Sequence, residues 1–114
     1  LPNGAKRSPD ASWTAKDRLA GLSREEKRGF PPLCPDFVIE LRSPSDSLRE
    51  LRAKMHEWIE QGAQLGWLID PETQIVEIYR PSLAVETLHA PATIEGAGPV
   101  AGFVLDLAEI WPEI

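Results

Sequence analysis

Asp36-Phe37-Val38-Ile39-Glu40-Leu41 is the stretch on which the fold turns. Aromatic and β-branched residues dominate it, as in a strand. Alternate residues of a strand share a face. Phe37, Ile39 and Leu41 therefore fill one face, while Asp36, Val38, Glu40 and Arg42 point the other way. A carboxylate in so apolar a run is costly to bury unless it is paired or binds a metal. Two readings of Glu40 stand at this point: an edge strand with one solvated face, toward which the residues alone tilt, or a strand that holds a functional acid.

Downstream, Ser43-Pro44-Ser45-Asp46 breaks the strand. Ser47 and Glu50 then have the spacing of a capping box, which predicts a helix over about 48–61 with Gly62 as its stop. Leu48, Leu51, Met55, Trp58 and Ile59 recur at helical spacing and form one apolar stripe. With Leu51 as the origin and about 100° per residue, Lys54 falls near −60°, at the edge of that stripe. Leu65 to Ile69 reads as a buried strand. A turn at Asp70-Pro71-Glu72-Thr73 and a strand over Ile75 to Arg80 complete a hairpin. A further strand is expected over Val85 to His89, a loop over Gly96 to Pro99, an apolar segment over Phe103 to Leu107, and a short helical turn at the end. Upstream, Asp10 to Thr14 reads as a short strand. A helix near residues 23–29 is ended by Pro31-Pro32. The order β, β, α, β, β, β predicts an α/β sheet packed by one main helix.

The 114 residues suit one domain, 1–114, and 42% hydrophobic residues with four Trp allow a modest core. Pro2-Asn3-Gly4 reads as a turn into a strand with no partner before it, so a C-terminal fragment of a longer chain is expected. Cys34 is the single cysteine and cannot pair internally, which fits a reducing, cytoplasmic setting. No apolar run approaches the roughly 18 residues of a membrane span. The net charge of −6 argues against a protein that coats nucleic acid nonspecifically. It leaves room for a nuclease, whose metal-binding acids are neutralised by the ion they hold.

A divalent cation needs convergent oxygen ligands. Asp36 lies on the same strand as Glu40 but roughly 13 Å away at the usual rise, too far to share one ion with it. The second ligand must come from a neighbouring strand, about 5 Å across. Asp10, at the start of a strand, is the best candidate, although an aspartate after a proline is also a common turn residue. Lys54 could reach along the sheet toward Glu40, or simply carry its ammonium out to water. Arg42, two residues after Glu40, is a rival cation. His56 and His89 have no metal spacing. Cys34 has no evident base, and Trp13, Trp58, Trp67 and Trp111 read as core or interface residues.

The run Pro35 to Asp46, then Lys54-Met55, Gly62, Leu65-Gly66-Trp67-Leu68-Ile69-Asp70-Pro71, Val76-Glu77-Ile78-Tyr79-Arg80-Pro81 and Gly102-Phe103-Val104-Leu105-Asp106-Leu107, with Lys6 to Trp13 upstream, resembles the Uma-type restriction endonucleases. That bacterial family lies within the PD-(D/E)XK superfamily. The resemblance implies a restriction-endonuclease-like mixed sheet with one main packing helix, here lacking the N-terminal helix and strand of family members. It implies that Asp10 is the first catalytic aspartate and Glu40 the acid of the second motif. Lys54 stands in for the lysine usually found where Arg42 lies, and Asp36 is a supporting residue. The expected chemistry is Mg²⁺-dependent (or Mn²⁺-dependent) hydrolysis of nucleic acid, DNA above all. Asp10, Glu40 and the Leu41 carbonyl would hold the metal, Lys54 would orient the water, and Arg42 would steer the phosphate. The alternatives are an inactive binding or assembly module on the same fold, and a homodimer paired through exposed strand edges.

Overall fold

The computed structural model describes residues 9–15 and 34–111. The helix expected near residues 23–29 lies outside them. Seven strands are formed: β1 (Ala11–Trp13), β2 (Phe37–Leu41), β3 (Leu65–Asp70), β4 (Ile75–Tyr79), β5 (Glu86–His89), β6 (Thr93–Glu95) and β7 (Val104–Asp106). Among the described residues one helix, α1 (Leu48–Glu60), joins β2 to β3, and one 3-10 turn, Gly98–Val100, lies between β6 and β7.

The first five strands form one sheet in the order β1-β2-β3-β4-β5. Only β2 and β3 run parallel, with Glu40 level with Leu68, and the other neighbours are antiparallel. Parallel strands need a crossover connection, and α1 supplies it. Ser47 caps the helix by accepting from the Glu50 amide at 3.3 Å, as the capping-box spacing predicts. Gly62, at φ 121°, takes the left-handed conformation that ends it. The turn that breaks β2 is closed by Asp46, whose Oδ2 accepts from the Ser43 amide and hydroxyl, each at 2.9 Å. These two bonds, the amide first, hold the Asp46 carboxyl below its usual range.

The expectation that β2 is an edge strand is wrong. It lies between β1 and β3, and Glu40 is 2% exposed. The flanking strands come from segments distant in sequence, so nothing local to residues 36–42 could place them. β6 was not expected either: it is short, and Ile94 is its one buried residue.

Each face of the large sheet carries a core. On the α1 side, Val38, Leu51, Met55, Trp58, Leu68 and Tyr79 pack with Cys34 and Ala63. On the other side, Phe37, Trp67, Ile69, Val76 and Ile78 pack against Ile94 and Leu107 of the β6–β7 ribbon region. Burying a large apolar side chain is worth about 1.5–3 kcal/mol, so Leu51, Met55 and Trp58 fix how α1 lies on the sheet. Gly66 permits the close approach. A Cβ there would stand 2.6 Å from the Met55 Cε and 3.2 Å from Val38 Cγ2.

Candidate active site on the helix face of the sheet

The side chains of Asp36, Glu40, Asp70 and Glu77 are the buried charged ones among the described residues. By strand alternation all four belong to the α1 face. Each therefore has to find partners, and those partners separate a candidate site from three structural ties.

Asp36 is fully engaged as a clamp. Its Oδ2 accepts from the Ala15 amide at 2.9 Å, and its Oδ1 from the Gln64 side chain at 3.1 Å. It thus joins the segment after β1 to the entry of β3. Asp70, at the end of β3, accepts from Arg42 Nη1 at 2.9 Å, from the Thr73 hydroxyl at 2.9 Å and from the Glu72 amide at 3.1 Å. Burial alone would raise its carboxyl, but these three bonds outweigh burial and hold it low. Arg42 also donates from Nε to the Asp46 carbonyl at 3.3 Å. It ties the C-terminal ends of two parallel strands to the turn before α1.

Glu77 is held by Arg52, with contacts of 3.1 and 3.2 Å from Nε and 2.7 Å from Nη2, and by the Tyr79 hydroxyl at 2.8 Å. Burial and the Glu77 carboxylate push the Tyr79 phenol well up. The Glu77 bond raises the Arg52 guanidinium further.

Glu40 differs. Lys54 Nζ lies 3.1 Å from Oε1 and 3.2 Å from Oε2, and the Trp58 indole donates to Oε1 at 3.4 Å. Lys54 and Arg52 flank the apolar stripe of α1 on opposite sides. One reaches β2 and the other β4, across Leu68 of β3. Burial is the largest influence on the Glu40 carboxyl and raises it. Lys54 pulls it down, Asp10 pushes it up, and Trp58 lowers it slightly, leaving it above the ordinary value.

Asp10 stands immediately before β1. The register pairs Ala11 with Ile39, so one step back places Asp10 opposite Glu40. Its Oδ2 accepts from the Leu41 amide at 2.6 Å. The structure thus brings Asp10, Glu40 and Lys54 together and turns Arg42 to Asp70. Trp58, read from the sequence as core, is core and also a donor to Glu40. Its spacing four residues after Lys54 was the available signal. His89 lies on β5 and His56 is exposed, its ring edge-on to Tyr79.

The chain matches the model of a family described as "Uma2: Putative restriction endonuclease" over residues 1–108. It belongs to the Uma2 family. The Uma2 chain is also similar to a solved structure from Anabaena variabilis, a "putative nuclease belonging to DUF820". The TM-score is 0.74 and the identity 26%, over 92% of this chain. The match spans 59% of the length of the Anabaena chain. The mixed sheet packed by α1 is thus the fold of that nuclease-like neighbour. No curated protein matches the Uma2 chain.

The donor set of this Uma2 site suits a hard divalent cation. An ionised carboxylate has about four acceptor positions. Glu40 has three donor contacts among the described residues, and Asp10 is exposed. Mg²⁺ binds through one or two carboxylates and keeps waters for substrate to displace. The site is not a cage: among the described residues no group of three or more His, Cys, Asp or Glu could hold an ion. A mainly apolar groove of about 450 Å³, lined by Trp13, Phe37, Ile39 and Phe103 among others, opens on the opposite face. No described helix is long and apolar enough to cross a membrane.

Proposed function

We propose that this chain is a metal-dependent endonuclease domain that hydrolyses phosphodiester bonds, of DNA in the first instance. The single observation that carries the reading is the meeting of Asp10, Glu40 and Lys54, from three separate elements, around a buried carboxylate. Glu40 is desolvated and pushed up by Asp10. Two acids in that relation are costly to hold unless a cation joins them.

Asp10 and Glu40 are the side chains that would hold the metal. Leu41 adds a main-chain oxygen. In an extended strand the amide and carbonyl of one residue face the same side, and the Leu41 amide faces Asp10. A bound Mg²⁺ or Mn²⁺ supplies a water of lowered pKa and neutralises phosphate charge. Lys54 orients that water or stabilises the negative charge that develops on the phosphate. Its ammonium reaches Glu40 while remaining partly open to solvent. Arg42 would steer the phosphate only by sharing its guanidinium with Asp70. The products are a phosphate monoester and a free hydroxyl.

A second reading, an inactive binding or assembly module, is favoured by two observations: the net charge of −6 and the engagement of Arg42. A cleavage assay on plasmid and oligonucleotide DNA separates them. Cleavage that requires a divalent cation and is lost in Lys54→Ala supports the enzyme. Binding without cleavage in every metal tried supports the module.

A further inference from the structure

Trp58 is 1% exposed, and its indole N–H, buried with it, needs an acceptor. Among the described residues that acceptor is Glu40 Oε1, at 3.4 Å. The bond is long, and it lies in the core cluster that buries the indole. Trp58 and Lys54 lie one helical turn apart, so their side chains project alongside each other and come down on the same carboxylate. The consequence is asymmetric. Among the described residues Oε1 has two donors, Lys54 and Trp58, while Oε2 has one, Lys54. The open acceptor capacity is therefore on Oε2.

We propose that Trp58 is a positioning residue for the divalent-cation site: its Nε1–H pins Oε1 of Glu40, fixing the carboxylate so that Oε2 is the oxygen presented to the metal. This rests on the reading of Glu40 as a metal ligand. An indole suits the task because it is a donor without charge. A second ammonium or guanidinium would orient the carboxylate equally well but would repel the cation. The indole is also held rigidly. It belongs to the core cluster with Met55, Leu51 and Val38, and its own carbonyl accepts from Cys34 Sγ at 3.4 Å.

Two measurements on the full chain test the role. The first is the indole N–H resonance of Trp58 in a ¹H–¹⁵N spectrum of the metal-free protein. Glu40→Gln replaces a charged acceptor by a neutral one, so the Trp58 signal moves upfield. The Trp111 signal, whose N–H donates to the Pro91 carbonyl at 2.8 Å, stays in place as an internal control. An unmoved Trp58 signal overturns the proposal. The second replaces Trp58 by 3-benzothienylalanine, which keeps the ring shape and removes the N–H, with Trp58→Phe beside it. Mn²⁺ affinity falls roughly fivefold, the equivalent of one modest hydrogen bond, while the thermal midpoint of the benzothienyl variant is unchanged. Wild-type affinity in the benzothienyl variant overturns the role of Trp58 alone. A wild type that binds no Mn²⁺ overturns the metal reading, and this role with it. If neither variant folds, the Glu40→Gln spectrum still decides.

Discussion

Glu40 and Glu77 are near twins in their surroundings. Both are buried on the α1 face of one sheet, both meet a cation from α1, and both accept from an aromatic donor, Trp58 or Tyr79. Their partners differ in strength. Glu77 faces a planar guanidinium in a fork, with a hydroxyl at 2.8 Å. Glu40 faces a lysine spread over both oxygens, a long indole bond, and Asp10 just before the neighbouring strand. A charge-assisted bidentate pair is the strong kind, so Glu77 is satisfied as it stands. Glu40 is under-bonded in a place where it is costly to ionise. One carboxylate holds the sheet to the helix, and the other is the one proposed above as a cation ligand.

The largest effect should separate the two by activity. Glu40→Gln is expected to lower cleavage by at least about a hundredfold, the scale of losing one element of electrostatic stabilisation. Glu77→Gln is expected to retain cleavage per folded molecule, measured against the folded fraction at the assay temperature. Loss of cleavage in both, at equal folded fraction, would erase the distinction.

Stability should separate them in the opposite sense. Arg52→Met leaves the Glu77 charge buried with Tyr79 as its remaining donor among the described residues. Breaking a buried pair costs about 3–5 kcal/mol, and half-exposed Arg52 puts this case at or below the lower end, about 2 kcal/mol by urea unfolding at pH 7. Gly66→Ala presses a methyl group toward Met55 and Val38 and should cost about 1–2 kcal/mol by overpacking. Because it lifts α1, it should weaken the contacts of Glu40 and Glu77 together.

The smallest effect is in pH. The Glu40 carboxyl is raised in the folded protein. Its contribution to stability is therefore fully present below the unfolded value of 4.5 and is lost as pH rises through the folded value. At pH 8 the ionised wild type bears that loss and Glu40→Gln does not. The Gln variant should melt slightly higher at pH 8, with the difference shrinking toward pH 4. A Gln variant that is less stable at pH 8 than at pH 4, relative to wild type, would mean that Lys54 more than offsets burial.

Much of this arrangement was legible in the sequence. The β2 alternation, the Ser47–Glu50 cap, the apolar stripe of α1 and the turn at Asp70-Pro71 are all signals within a few residues, and each appears within a residue or two of where it was read. The angular position of Lys54 put it at the edge of the stripe but left open whether it turned to the sheet or to water; the contact with Glu40 decides that. What was not legible depends on long-range register. The edge-strand reading of β2 failed because β1 and β3 arrive from outside the local stretch. The pairing of Arg42 with Asp70 needs β2 and β3 to run parallel. The Arg52–Glu77–Tyr79 cluster needs α1 to lie over β3 while touching β4, and no local pattern encodes that. Trp58 was legible as apolar but not as a donor, because its N–H acquires meaning only once Glu40 is placed beneath it.

Calorimetric titration with Mn²⁺ or Mg²⁺ tests whether Asp10 and Glu40 form one cation site. Wild type should bind one ion per chain, and Asp10→Asn and Glu40→Gln should each weaken that binding by at least about tenfold, a cost of about 1.4 kcal/mol. Equal affinity in the wild type and both variants would contradict a shared site.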